Sequence, residues 1–244
     1  MEKLYNADSY ELIKKIPDHS VDLIVTDPPY LIENTKPGCQ SNLAKSIQQI
    51  NNQLAKGILT NGISNSILED FVRVLKKINI YIWCNHKQIP QYLDFFVNKY
   101  SCNFDILIWN KTNACPLFNN KYLTDKEYCL YFRKGGYCNP MSYELAKTVF
   151  YQPLNVKDKK IWEHPTIKPL NIIETLIENS SKEGDTVFDP FMDSGTTGVA
   201  CKLHNRNFIG VEIDKRFYDL AQLRINDTVR SNNRFLQGEL FYEE

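Results

Sequence analysis

The stretch Val21-Asp22-Leu23-Ile24-Val25-Thr26 runs directly into Asp27-Pro28-Pro29-Tyr30, and this junction decides the fold. The apolar, β-branched run predicts a buried strand, and the two prolines predict that it ends in a rigid turn. Pro29 holds Pro28 in an extended conformation, so the chain cannot turn directly into a helix there. Residues 27–30, called the shelf below, offer a carboxylate, carbonyl acceptors and an aromatic face. A flat ligand carrying an amino group suits such a surface.

The length and composition indicate a globular α/β protein. The chain has 244 residues, of which 43% are hydrophobic and 24% charged, and it contains no apolar run as long as a membrane span. Met1-Glu2-Lys3 does not lead into a signal-peptide core. Seven cysteines without close pairing favour a reducing, cytoplasmic compartment, and zinc is not expected because no C-x-x-C occurs.

Lys+Arg equals Asp+Glu at 29 each, so the net charge is zero. This weakens the simplest signature of a nucleic-acid binder, although a local basic face is sufficient for binding. Basic residues that form candidate patches are Lys111, Lys121, Lys126, Arg133, Lys134, Lys157, Lys159, Lys160, Arg224, Arg230 and Arg234.

Short β-rich runs alternate with helical stretches, which predicts a mostly parallel sheet flanked by helices. The predicted strands are 3–6, 21–26, 78–84, 104–109, 127–132, 186–189 and 207–212. The predicted helices are 9–16, 66–77, 89–100, 169–181, 196–204 and 215–228, with Pro169 in a first-turn position. Residues 31–65 and 135–165 are expected to be irregular and, as long connections beside the predicted site, functional.

A second constellation lies late in the chain. Residues 186–200, TVFDPFMDSGTTGVA, are typical of a strand, a small-residue turn and a helix start. Gly195 allows close approach of a ligand to the backbone, and the following hydroxyls and amides suit polar or negative groups. The next strand ends in Glu212, a position that suits a carboxylate on ribose hydroxyls. Together these features favour an adenosine cofactor.

The two constellations, in this order, resemble the beta group of DNA amino-methyltransferases, in which D-P-P-Y precedes the S-adenosylmethionine loop. The resemblance extends to residues 4–8, to the strands at 80–83, 106–111 and 127–132, and to 164–169, HPTIKP. It implies a Rossmann-like methyltransferase fold with a mostly parallel seven-stranded sheet and helices on both faces. The whole chain, 1–244, would be one domain, with a target half at about 1–134, a recognition or linker segment at about 135–163 and a cofactor half at about 164–230.

The resemblance also implies roles for individual residues. Asp27 and the Pro28 carbonyl would accept the two amine hydrogens of a flipped base, Pro29 would stiffen the turn, and Tyr30 would stack on the base. Residues that would bind S-adenosyl-L-methionine are Ala7 and Asp8 at the adenine edge, Glu212 at the ribose, and His164, Thr166, Lys168, Asp189, Phe191, Ser194, Gly195 and Thr196 around the methionine and the loop. No metal site is implied.

Asp193 departs from the family pattern, which usually has glycine in the middle of the loop. If the loop needs a left-handed backbone there, aspartate tolerates it better than most residues but less well than glycine. We therefore expect a working but altered cofactor site.

The resemblance implies methylation of adenine N6 in double-stranded DNA, because Asp opens the shelf motif where cytosine-N4 enzymes more often have Ser. Cytosine N4, an RNA amine or a protein amide, and a catalytically impaired DNA-binding protein are the alternatives. Residues 31–65 and 113–120 are predicted to read bases, since only 135–163 is available for a recognition region. A homodimer and a cognate restriction endonuclease are expected partners of this group.

Overall fold

The computed structural model describes residues 1–31, 62–116, 120, 122–154 and 167–228. One sheet organises these residues, with the strand order β1-β8-β7-β2-β3-β5-β4-β6. The strands are β1 (Glu2–Asn6), β2 (Leu23–Thr26), β3 (Ile78–Cys84), β4 (Asn103–Lys111), β5 (Lys126–Lys134), β6 (Val149–Gln152), β7 (Thr186–Asp189) and β8 (Asn207–Glu212).

Six α-helices flank this sheet in the described part of the chain. They are α1 (Ser9–Leu12), α2 (Asn65–Val74), α3 (Ile89–Leu93), α4 (Leu170–Ser180), α5 (Thr196–Leu203) and α6 (Lys215–Asp227). A 3₁₀ turn (Ile13–Lys15) extends α1, and a π-helical turn (Asp94–Lys99) extends α3. Pro169 is the extended residue before α4, because its ψ is 125°, and so the predicted first-turn position was wrong by one residue.

The central strands explain why the sheet is covered on both faces. All four residues of β2 and all seven of β3 are buried. Along β3, Ile80 and Ile82 pack into one core with α2 and α3, whereas Tyr81 and Trp83 pack into the other core with α4 and α5. Strand side chains alternate between faces, so a strand that is buried along its whole length needs helices on both sides.

The prediction of seven strands was wrong by one, because the sheet has eight. β6 lies within residues 135–165, which were expected to be irregular, and it pairs in parallel with the outer edge of β4. Its Val149-Phe150-Tyr151 run has high β-propensity, and the addition covers an edge that β4 would otherwise leave unpaired. All seven predicted strands are present.

The directions in which the strands pair determine which residues lie at the edge of the sheet that carries the site. β1, β8, β7, β2 and β3 pair in parallel, whereas β5 is antiparallel to both β3 and β4. The first residues of β5 and the last residues of β4 therefore lie at the same edge as the carboxyl ends of β2, β7 and β8. None of the helices in the described residues is long and apolar enough to cross a membrane.

Candidate active site

The shelf and residues 190–197, called the late loop below, line one cleft at the carboxyl edge of the sheet. β2 and β7 are paired neighbours, so Asp27, directly after β2, and Asp189, the last residue of β7, lie side by side. The cleft at this edge is small and partly open to solvent. Its lining residues include Asp27 directly after β2, Trp83 near the end of β3, Lys168, and residues 192–194, 196 and 197 of the late loop.

The two carboxylate oxygens of Asp27 have different surroundings. Its Oδ2 contacts the ammonium group of Lys168, whereas its Oδ1 is buried and forms no hydrogen bond with any of the described residues. The indole Nε1 of Trp83, in the same cleft, also lacks a partner. A buried carboxylate oxygen without a donor is costly, and an incoming N–H group would satisfy it.

Lys168 was predicted to hold the methionine part of the cofactor, and the structure places its ammonium group against the shelf. The residue is 8% exposed, and its Nζ lies 3.2 Å from Glu127 Oε2 and 3.4 Å from the Tyr30 hydroxyl. The same Nζ is 5.5 Å from the Tyr30 ring centre and 5.2 Å from that of Trp83. Burial alone would lower the pKa of Lys168, but the two carboxylates raise it above the ordinary value, so the group stays charged.

Two amide side chains hold the backbone of the shelf. The Gln88 amide donates to the Pro29 carbonyl at 3.1 Å, and the Asn85 amide donates to the Leu31 carbonyl at 2.8 Å. Gln88 is buried, and its amide is fixed by a second hydrogen bond to the Tyr92 hydroxyl at 3.2 Å. Asn85 and Gln88 both follow β3. Their role was not predicted, because the sequence of a short polar connection does not indicate which backbone carbonyls its side chains will bind.

The late loop adopts the left-handed geometry that its sequence suggested. Asp193 has φ 48° and Gly195 has φ 77°. A Cβ on Gly195 would lie 2.8 Å from Ala221 Cβ, so glycine is also required for packing against α6. Arg224 of α6 donates to the Ser194 carbonyl and, at 3.3 Å, to the Thr196 hydroxyl, and thereby holds the loop from below.

Asp189 organises the loop from inside. Its Oδ1 accepts from the Phe191 N–H at 3.1 Å, and its Oδ2 accepts from the Thr197 hydroxyl at 2.7 Å. Burial raises the pKa of Asp189 to about 7, although these hydrogen bonds oppose the rise. Both oxygens of Asp189 thus have partners within the loop, and Phe191 packs against the core.

Glu212, the last residue of β8, is fixed by two backbone amides. Its Oε1 accepts from Asp214 N–H at 2.7 Å, and its Oε2 accepts from Asp193 N–H at 3.1 Å. Burial raises the pKa of Glu212 to about 7, and the nearby Asp193 charge adds to the rise. Each carboxylate oxygen keeps acceptor capacity for a further hydroxyl.

The predicted adenine edge adjoins Glu212. Ala7 N–H donates to the Glu212 carbonyl at 3.1 Å, because β1 pairs in parallel with β8. Asp8 caps α1 by accepting from Tyr10 N–H at 2.7 Å, and it remains exposed. His164 and Thr166 lie outside the described residues. The structure thus brings Asp27, Tyr30 and Lys168 together with the loop, and Ala7 together with Glu212.

Glu127 and Lys111 are parts of the site that sequence reasoning missed. Glu127 is the second residue of β5, Lys111 is the last of β4, and their side chains form an ion pair of 2.7 Å behind Lys168. Lys111 had been placed in a candidate basic patch, yet only 13% of its side chain is exposed. The antiparallel pairing of β5 brings both groups to this edge, and a prediction of all strand directions would have been needed to find them.

Comparison with known proteins agrees with this geometry. The chain matches the family described as DNA methylase over residues 21–223. It is 34% identical to Type II methyltransferase M2.LlaDCHI of Lactococcus lactis subsp. cremoris, with 91% of this chain and 88% of that protein covered. It is 29% identical to Type II methyltransferase M2.DpnII of Streptococcus pneumoniae, with 94% and 91% covered.

Solved structures give the same result. The chain is similar to the M1.HpyAVI-SAM complex with a TM-score of 0.62 and 28% identity, over 93% of this chain and 100% of that one. The cytosine-N4-specific PvuII DNA methyltransferase, at 17% identity and a TM-score of 0.71 over 94% of this chain and 88% of that one, shares the fold. With the shelf and the late loop in one cleft, these matches show that the chain belongs to the DNA methylase family.

Proposed function

We propose that this DNA methylase transfers a methyl group from S-adenosyl-L-methionine to the exocyclic N6 of adenine in double-stranded DNA. The observation that carries the proposal is that Asp27 Oδ1 has no hydrogen-bond partner in the described part of the chain, while Asp27 lines the cleft shared by the shelf and the late loop. An amino group on a flat base supplies the missing donor. The base must leave the duplex to reach this position.

The residues of the late loop fit the proposed cofactor. Gly195 permits close backbone approach, Ser194 and Thr196 line the cleft, and Glu212 is oriented for a ribose by two backbone amides. When bound, the cofactor supplies a methyl group on a positively charged sulfur. We propose Ala7 and Asp8 for its adenine edge, and His164 and Thr166 for its methionine end, from the sequence resemblance alone.

The shelf would activate the amine by position and charge. Hydrogen bonds from the amine to Asp27 Oδ1 and to the Pro28 carbonyl would draw its nitrogen towards tetrahedral geometry and expose the lone pair. Tyr30 would stack on the base beside Lys168. Because the shelf precedes the late loop in the chain, we also propose a target half at about 1–134, a recognition or linker segment at about 135–163 and a cofactor half at about 164–230.

Purified protein, radiolabelled cofactor and mixed-sequence DNA test the proposal. We expect label in DNA and, after digestion to nucleosides, N6-methyladenine by mass spectrometry. Asp27→Ala should lower methyl transfer at least about a hundredfold, while calorimetry should show nearly unchanged cofactor binding. N4-methylcytosine as the product would overturn the adenine assignment, and unimpaired turnover in Asp27→Ala would overturn the role of the shelf.

Asp22→Ala is the matched control. Asp22 directly precedes β2 at the opposite end from Asp27, and its carboxylate pairs with Lys76 at 2.8 Å. Asp22→Ala should leave the rate of methyl transfer per folded molecule within about twofold of the rate of the unaltered protein. Equal losses in both variants would show that the effect of Asp27→Ala comes from damage to the strand.

A further inference from the structure

Two carboxylates and two ammonium groups form a charge network behind the shelf. It consists of Asp27, Lys168, Glu127 and Lys111. Lys168 contacts Asp27 Oδ2 and lies 3.2 Å from Glu127 Oε2, and Lys111 lies 2.7 Å from Glu127 Oε1. The four groups come from the shelf, the segment before α4, the start of β5 and the end of β4.

The two carboxylates of this network are held unequally. Glu127 lies within ion-pair distance of both ammonium groups, although its Oε2 forms no hydrogen bond among the described residues. Asp27 contacts only Lys168 of the two, through Oδ2, and its Oδ1 has no donor among the described residues. Lys168 is almost fully buried, so water screens its charge poorly. Each carboxylate therefore limits how strongly the ammonium group binds the other.

We propose that Glu127 is a positioning residue for methyl transfer: by sharing Lys168 with Asp27, it keeps Asp27 Oδ1 free to accept the target amine and able to take its proton. This inference rests on the proposed function. Glu127 does not line the cleft, so it would act on the reaction through Lys168 and Asp27. Lys111 completes the network by balancing the second negative charge.

The amine lone pair forms the new nitrogen–carbon bond, and the sulfur of the methyl donor keeps the electron pair of the broken carbon–sulfur bond. The nitrogen then carries a positive charge and loses one proton, which Asp27 Oδ1 accepts. Asp27 becomes neutral, and the Lys168 ammonium group retains a full negative partner in Glu127.

The pKa directions agree with this division of roles. Burial raises the pKa of Asp27, and Glu127 raises it further, while Lys168 opposes both. Burial would also raise the pKa of Glu127, but Lys168 and Lys111 outweigh that effect and lower it to about 2. Glu127 thus stays ionised over the whole working range, and Asp27 is the carboxylate that can be protonated.

Other titratable groups also face Asp27. Burial raises the pKa of Cys84 to about 12, and it raises the pKa values of Tyr30, Tyr92 and Cys129 above their ordinary ranges, so these four stay neutral. Asp189, across from β2, has a pKa of about 7 and titrates in the working range. Its contribution is common to the original protein and to variants at Glu127, so a difference between them reports on Glu127.

The test is Glu127→Gln, which keeps the shape of the side chain and removes its charge. Single-turnover methyl transfer is measured with saturating DNA and cofactor from about pH 5 to about pH 9. The full positive charge of Lys168 then acts on Asp27 alone. We expect the plateau rate to fall about tenfold or more and the acidic limb of the pH profile to move to lower pH, with cofactor binding unchanged.

Three further variants make the result specific. Glu127→Asp keeps the charge and should recover part of the plateau rate. Glu127→Gln combined with Lys111→Met restores the charge balance and protects folding, and it should show the same displaced acidic limb as Glu127→Gln. Glu174→Gln removes a carboxylate on α4 that pairs with His204, and it should change neither the rate nor the pH profile.

Two results would overturn the inference. One is a plateau rate in Glu127→Gln equal to that of the unaltered protein. The other is an acidic limb of the Glu127→Gln profile that stays in place or moves to higher pH. Both are distinguishable from failure of the proposed function, because that failure would appear as absence of methyl transfer to DNA by the unaltered protein. A lower rate caused only by local unfolding would leave the acidic limb in place, and it would thus count against the inference.

Discussion

Asp193 combines two unfavourable features in one position of the late loop. Its φ of 48° lies in the left-handed region, which costs a residue with a Cβ about 1 kcal/mol relative to glycine. Its carboxylate also helps to raise the pKa of Glu212, in addition to the larger effect of burial. Its N–H donates to Glu212, which lowers that pKa and would be kept by glycine.

Asp193→Gly should therefore strengthen cofactor binding. Removal of the negative charge lowers the pKa of Glu212, so more of that side chain is ionised at neutral pH and able to accept ribose hydroxyls. We expect the dissociation constant for S-adenosyl-L-methionine to fall about three- to tenfold near pH 7, with a smaller gain above about pH 9. Isothermal titration calorimetry at both pH values measures the difference.

Asn205→Gly separates relief of strain from the effect of charge. Asn205 also has a left-handed φ, 57°, and is exposed. Glycine there should raise the free energy of unfolding by less than about 1 kcal/mol without any change in cofactor affinity. Equal affinity gains in both variants, or none in Asp193→Gly, would contradict the electrostatic explanation.

At the scale of elements, the loop depends on close packing between α5 and α6. Gly195 lies where α5 begins, and an added Cβ would approach Ala221 Cβ to 2.8 Å and Ala221 Cα to 3.0 Å. The neighbouring backbone cannot yield as a flexible side chain would. Gly195 therefore sets both the turn of the loop and the distance between the two helices.

Gly195→Ala should lower the free energy of unfolding by about 2–4 kcal/mol, the sum of left-handed strain and overpacking. Urea unfolding followed by circular dichroism measures the loss. Gly184→Ala is the control, because its φ is 82° but a Cβ there would meet nothing within 4 Å. It should lose only about 1 kcal/mol; a similar loss at both glycines would show that helix packing contributes little.

The elements themselves followed from local pattern, with one exception. Short, largely apolar runs such as that of β3 predicted seven strands, and runs with helical periodicity predicted six helices. Burial leaves this pattern in the local sequence. β6 was missed because its residues are exposed or only partly buried, whereas the equally short β2 and β7 are almost completely buried. Such a short strand is stabilised by the neighbouring edge of β4, which lies about 40 residues away in sequence.

At the scale of the whole molecule, two buried acids predict how stability varies with pH. Burial raises the pKa of Asp189 from 3.8 to about 7 and that of Glu212 from 4.5 to about 7. Between those values the folded protein retains protons that the unfolded chain has lost. The free energy of unfolding should thus fall as pH rises, by up to about 1.4 kcal/mol per pH unit for each acid.

Asp189→Asn removes one of these acids while keeping its size. The melting temperature of the original protein should fall between about pH 5 and about pH 7, and that of Asp189→Asn should fall less. Thr197→Val removes a hydroxyl that lowers the pKa of Asp189, so its fall should extend to higher pH. Scanning calorimetry across this range measures all three proteins; identical slopes would refute the assignment to Asp189.

The sequence by itself determined the shelf, the late loop, the strands that carry them and the family, because each depends on residues that are adjacent in the chain. Tertiary structure alone decided what the side chains at the sheet edge touch. Lys168 contacts Asp27 across 141 positions, and Glu127 and Lys111 reach the same edge through antiparallel pairing. Charges in a buried site act through distance in space, which local sequence does not encode.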